Sequence, residues 1–191
     1  MHSNEDLSKY MISEIQYPEV NFEATGYILD IGGGGEGVIG QYKKDQVIAI
    51  DRRKDELEEA PSDNLKIIMD ATDLKFLDES FNTVTAFFTF MYMDNETREK
   101  TLKEIYRVLK PGGRLLVWDV IIPPESENEK QEAFIVQIEV DLPHKKVKTG
   151  YGTSFSRHQT IDYYLTKAKE LNFNLELKKE KEVIFYLEFT K

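Results

Sequence analysis

Tyr27-Ile28-Leu29-Asp30-Ile31-Gly32-Gly33-Gly34-Gly35-Glu36-Gly37 is the stretch whose reading decides the fold. A short apolar run stops in four consecutive glycines, and Gly37 and Gly40 follow. Apolar runs of about five residues bounded by turn residues are strands covered on both faces. Glycines directly after a strand let the backbone turn tightly and approach a ligand, because no Cβ stands in the way. Gly32, Gly34 and Gly37 have the G-x-G-x-x-G spacing of dinucleotide sites. A glycine-rich turn that holds nothing has the same spacing, so the rest of the chain has to decide.

Outward from this turn, four more apolar runs follow: residues 46–50 ending at Asp51, 65–69 ending at Asp70, 83–88 leading to Thr89, and 114–118 ending at Asp119. Helical patterns fall between them. Residues 52–60 are charged and short, and Pro61 ends them. Residues 96–110 carry an apolar stripe of Leu102, Ile105, Tyr106 and Leu109, with Asp94 or Asn95 as cap and Pro111-Gly112-Gly113 as stop. This alternation predicts an α/β fold, a doubly wound Rossmann-like sheet of seven mostly parallel strands. Thr160 caps a further helix to about Leu171, and residues 173–177 and 183–189 form a C-terminal antiparallel pair.

Two segments stand outside these motifs. Residues 4–16 place Leu7, Met11 and Ile15 four apart, which predicts a helix closed by Pro18. Residues 134–140 and 147–155 flank a turn-like Asp141-Leu142-Pro143-His144-Lys145-Lys146, which predicts an inserted hairpin. The length of 191 residues fits one domain over 1–191, at about 150 residues per domain. Within it, 1–20 hold the N-terminal helix, 27–122 the cofactor-binding core, and 134–156 an excursion that covers the substrate. Helix and excursion together are expected to act as a lid.

Composition narrows the function. Lys and Arg number 25 against 35 Asp and Glu, a net charge of −10, which opposes a phosphate backbone and disfavours nucleic acid as a partner. The lysines around His144 are the one local basic run, and no aromatic ladder for stacking bases accompanies them. With no cysteine, thiolate metal sites and cysteine nucleophiles are excluded, and the three histidines (His2, His144, His158) share no ligand spacing, so no metal is expected. No apolar run reaches the ~18 residues of a membrane span. The acidic start lacks a secretory pattern, which gives a cytoplasmic address.

The strand-end acids carry the chemistry. Asp51, about 20 positions past Asp30, can accept hydrogen bonds from both ribose hydroxyls, although an Asp there can also cap a helix. Asp70 can accept from an adenine amino group or simply end its strand in water. Asp30 places a carboxylate beside the glycines, which repels a pyrophosphate and welcomes an ammonium or sulfonium group.

These motifs resemble the class I S-adenosylmethionine-dependent methyltransferases, in their small-molecule branch. The resemblance rests on Ile28-Leu29-Asp30-Ile31-Gly32-Gly33-Gly34-Gly35, Ile48-Ala49-Ile50-Asp51, Asp70-Ala71 with residues 74–81, and residues 107–115 around Pro111-Gly112-Gly113. It implies S-adenosylmethionine as cofactor, with Asp30, Gly32 and Gly34 at its methionine part and Asp51 on the ribose. It further implies Arg52 along the adenine, Asp70 and Ala71 at the adenine edge, and Phe88 and Thr89 near the methionine amino group. Glu36 departs from the pattern by holding the third alternating glycine position, and the short segment before Asp51 implies a stubby first helix. Tyr92, Asp94 and Asp119 lie at strand ends; Tyr92 and His158 are the candidate catalytic side chains, with Tyr151 also placed to roof the site. The expected activity is methyl transfer to an O, N or C atom of a small molecule. The alternatives are a nicotinamide-dependent oxidoreductase, a non-catalytic cofactor-binding or regulatory protein, and an RNA methyltransferase.

Overall fold

The structure is a computed structural model that describes residues 7–61, 63–124 and 131–191. Its main sheet contains seven strands: β2 (Ile28–Ile31), β3 (Val47–Asp51), β4 (Leu65–Ile68), β5 (Phe81–Phe87), β6 (Leu109–Val120), β9 (Asn174–Lys181) and β10 (Ile184–Thr190). They lie in the order β4-β3-β2-β5-β6-β10-β9, all running the same way except β10, which pairs antiparallel with both β6 and β9. Strand order reverses between β2 and β5, and a crevice opens there at the carboxyl ends of a doubly wound sheet. β2 is buried along its whole length, as Ile28, Leu29 and Ile31 require, and Asp30 is buried with them.

Helices α3 (Asn95–Val108) and α4 (Ile161–Glu170) cover one face. Their Leu102, Ile105, Ile161 and Tyr164 pack on Leu29, Val84 and Leu115 of the sheet. Both begin at the predicted caps: the Asp94 carboxylate accepts from Thr97 N–H, and the Thr160 hydroxyl from Tyr163 N–H. The expected stop at Pro111-Gly112-Gly113 lies instead inside β6, which starts directly after α3. Gly112 takes φ 75° there, and its N–H donates to the Lys191 carbonyl.

The opposite face carries α1 (Val38–Lys43), α2 (Lys54–Glu59) and a second sheet. That sheet has the order β1-β7-β8, with β1 (Tyr10–Gln16) parallel to β7 (Ala133–Leu142), and β7 antiparallel to β8 (Lys145–Ser154). The inserted hairpin is therefore regular, with Gly150 opposite Gln137 and Gly152 opposite Ile135. Phe134, Val136 and Ile138 join Val20, Phe22 and Trp118 in the core, and the Trp118 indole N–H donates to the Glu19 carbonyl.

The predicted N-terminal helix over residues 4–16 does not form. Residues 4–6 lie outside the described residues, Leu7–Lys9 form a 3-10 turn, and the rest is β1. A helix of this length is marginal by itself. The open edge of β7 offers a row of backbone partners to a segment rich in Tyr and Ile, and that pairing overrides the four-residue spacing.

Candidate functional site

A cavity of about 400 Å³ opens at the reversal between β2 and β5. It is lined by Asp30, Gly32, Gly34, Asp51, Asp70 and Thr89, and also by Arg52, Ala71, Phe88 and Tyr92, so nearly all the expected site residues meet in one place. His158 is the exception. It is exposed and lies off the cavity; its carbonyl accepts from the Arg98 guanidinium.

The glycine turn is built to admit backbone and nothing bulkier. A Cβ on Gly32 would stand 2.5 Å from Thr89 Cγ2, and one on Gly34 would stand 2.5 Å from Glu56 Cβ. Gly33 N–H donates to the Ile50 carbonyl and Gly35 N–H to the Glu56 carbonyl, fastening the turn to β3 and α2. The displaced third glycine is absorbed by left-handed backbone at Gly35 (φ 58°) and Gly37 (φ 53°), with Gly37 capping the six-residue α1.

Asp30 departs from the simple electrostatic reading. It is buried beneath the turn, opposite Thr85 of β5, whose hydroxyl donates to it at 2.7 Å. Burial pushes its carboxyl up to about 7; the Thr85 bond opposes the rise and the nearby Asp51 charge adds to it. Its charge is thus not fixed at neutral pH. Half-buried Asp51 accepts from Arg53 N–H at 2.9 Å and caps no helix, since the N-cap of α2 is Arg53. Asp70 accepts from the Thr72 N–H and hydroxyl, and these bonds hold its carboxyl below the usual range.

Phe88 sits in the left-handed region at φ 48°, which swings the chain so that Thr89 lies under Gly32. The Thr89 hydroxyl is spent on the Ile31 carbonyl at 2.9 Å, which makes Thr89 the floor of the turn. Asp119, expected at the open edge, is fully buried. Its carboxylate accepts from Gln159 Nε2 and from Val120 and Met91 N–H, while burial pushes it up to about 6. Asp94 is occupied as the cap of α3.

One participant, Glu36, went unassigned in the sequence, and Tyr151, expected to roof the site, lines the cavity. Glu36, in the glycine turn, accepts from the Thr149 and Tyr151 hydroxyls of β8. Tyr151 stacks on Phe88 with ring centroids 5.4 Å apart and lines the cavity opposite Tyr92. An acidic residue interrupting a glycine run was the available signal for Glu36; only the packing of the second sheet could reveal its partners.

The donor set fits S-adenosylmethionine: two glycines whose Cβ positions are filled by neighbours, acids at the ends of β3 and β4, and a titratable carboxyl under the turn. A methyltransferase-domain model matches residues 29–117. A demethylmenaquinone methyltransferase of Thermus thermophilus is 40% identical over 92 residues, 48% of this chain and 40% of that protein. The chain spans less than half the length of the curated relatives it matches. A SAM-dependent methyltransferase from Methanosarcina mazei superposes with a TM-score of 0.65 at 19% identity, covering 89% of this chain and 94% of that one. The [4+2]-cyclase SpnF superposes at 0.64 with 15% identity, covering 88% and 75%. Motifs, sheet order and these likenesses agree: residues 29–117 match a methyltransferase domain, the fold is that of S-adenosylmethionine-dependent methyltransferases, and both imply S-adenosylmethionine as the cofactor.

Proposed function

We propose that the protein transfers a methyl group from S-adenosylmethionine to an O, N or C atom of a small molecule. The observation that carries this reading is the convergence of the glycine turn, Asp51 and Asp70-Ala71 on one cavity. When bound, the cofactor supplies an electrophilic methyl carbon on a positively charged sulfur. The chain's part is placement and exclusion of water. Gly32 and Gly34 would let the methionine portion lie against backbone. Asp51 would accept from the ribose hydroxyls, Asp70 and the Ala71 backbone would meet the adenine edge, and Arg52 would lie along the base. Asp30, buried beneath, would ionise in response to the positive charge. Tyr92 and Tyr151 would wall the acceptor side, where burial raises both phenols and keeps them neutral donors.

Fold alone does not fix the reaction, as the cyclase neighbour illustrates. Two further features favour a small acceptor over nucleic acid: the net charge of −10 and the small size of the cavity. No helix among the described residues is long and apolar enough to cross a membrane. Calorimetric titration with S-adenosylhomocysteine and, separately, NAD tests the reading. Binding of the former at micromolar concentration, about −8 kcal/mol, with none of the latter is the expected result. Binding of NAD alone would transfer the site to an oxidoreductase.

A further inference from the structure

A second, more open cavity of about 610 Å³ adjoins the first. Gly35, Glu36, Glu56, Tyr92 and Tyr151 line both, so these residues form the throat between them. The charges around the throat are unevenly satisfied. Arg53 is paired with Asp55 and Glu56; Lys146 is paired with Glu139 and Asp141, and Lys148 with Glu139. The Arg157 guanidinium donates to the Tyr92 carbonyl. Glu36 differs: the partners recorded for its carboxylate are two neutral hydroxyls, Thr149 and, at 3.0 Å, Tyr151. Among the described residues it forms no ion pair, although Lys145, Lys146 and Lys148 line the same second cavity.

Tyr92 and Tyr151 share this lining. After burial, the charges that raise Tyr92 are Asp119, Glu36 and Glu56; those that raise Tyr151 are Glu36 and Asp30. A half-buried carboxylate that shares its cavity lining with two aromatic side chains attracts a cation in two ways, through its charge and through the rings.

We infer that the methyl acceptor is an amine, held as its ammonium ion at this throat by Glu36 between Tyr92 and Tyr151. The inference rests on the methyltransferase reading and narrows its acceptor class. For transfer, the ammonium gives one proton to solvent and the nitrogen lone pair forms the new nitrogen–carbon bond. The carbon–sulfur bond breaks with its electron pair left on sulfur. Glu36 binds and orients the nitrogen and is not consumed.

The test uses the full chain saturated with S-adenosylhomocysteine and titrated with methylammonium or acetate, followed by protein-observed NMR. Methylammonium should give saturable shifts at the amides of Gly35, Tyr92 and Tyr151, and acetate none. Glu36→Gln should bind methylammonium about tenfold more weakly. Because Glu36 also holds the Thr149 and Tyr151 hydroxyls of β8, Tyr92→Ala serves as a second variant at a partly exposed position without such bonds, expected to bind about threefold more weakly. No methylammonium shifts, equal shifts with acetate, or affinity unchanged in both variants would overturn the inference. Failure of S-adenosylhomocysteine to bind would instead remove the methyltransferase reading, and it is read out before any amine is added.

Discussion

Asp30 shows how a single position carries both stability and ligand chemistry. Its strand-end location beside the glycines was legible in the sequence; that it would be buried and bonded to Thr85 was not, because the register between β2 and β5 sets that pairing. Its folded-state value near 7 lies above the ordinary 3.8. The neutral acid therefore stabilises the fold fully below pH 4, and that contribution is lost as pH rises through 7. Asp30→Asn, which does not titrate, should be about 2 kcal/mol more stable than the wild type at pH 8 and nearly equal at pH 5, measured by urea unfolding. The same substitution should flatten the dependence of S-adenosylhomocysteine's cationic parent on pH: wild-type affinity for S-adenosylmethionine rises between pH 6 and pH 8, and the variant's does not.

At the level of elements, α3 and its Asp94 cap followed from local pattern, since the hydrogen bond that starts the helix comes from a neighbouring residue. Arg98 on the same helix did not. Its guanidinium is 1% exposed and donates to the carbonyls of Phe90, Arg157 and His158 and to the Asn95 side chain. It thereby ties the loop after β5 to the return of the hairpin, holding Tyr92 and Arg157 together over the cleft. Arg98→Met would leave those carbonyls without their donor and should cost about 3 kcal/mol in denaturant unfolding. A loss below about 0.5 kcal/mol would mean water replaces the guanidinium. The contrast with β1 has the same origin: its residues satisfy a helical spacing, and the deciding partner lies more than a hundred residues away.

For the molecule as a whole, the β1-β7-β8 sheet forms one wall of the crevice through Tyr151, with Thr149 bonded to Glu36 beside it. Thr153 of β8 donates to the Met91 carbonyl in the turn after β5, and Gln159, beyond β8, donates to Asp119 of β6. Hydrogen exchange should accordingly be slow along β7 in the free protein. Added S-adenosylhomocysteine should slow it further mainly at the Thr149–Tyr151 end of β8, with β1 little changed. Equal gains of protection across all three strands would describe a lid that closes as a unit.

The sequence by itself determined the seven-stranded α/β sheet, the glycine turn, the helix caps and the strand-end acids. Each of these depends on contiguous residues, whose apolar period, turn chemistry or capping group acts within a few positions. Tertiary structure alone decided that residues 10–16 are a strand, that Asp30 and Asp119 are buried and carry raised pKa values, that Glu36 meets Tyr151, and that His158 stands off the cleft. All of those depend on which distant segments pack together, and packing sets both the dielectric around a carboxyl and the partner of an unpaired backbone edge.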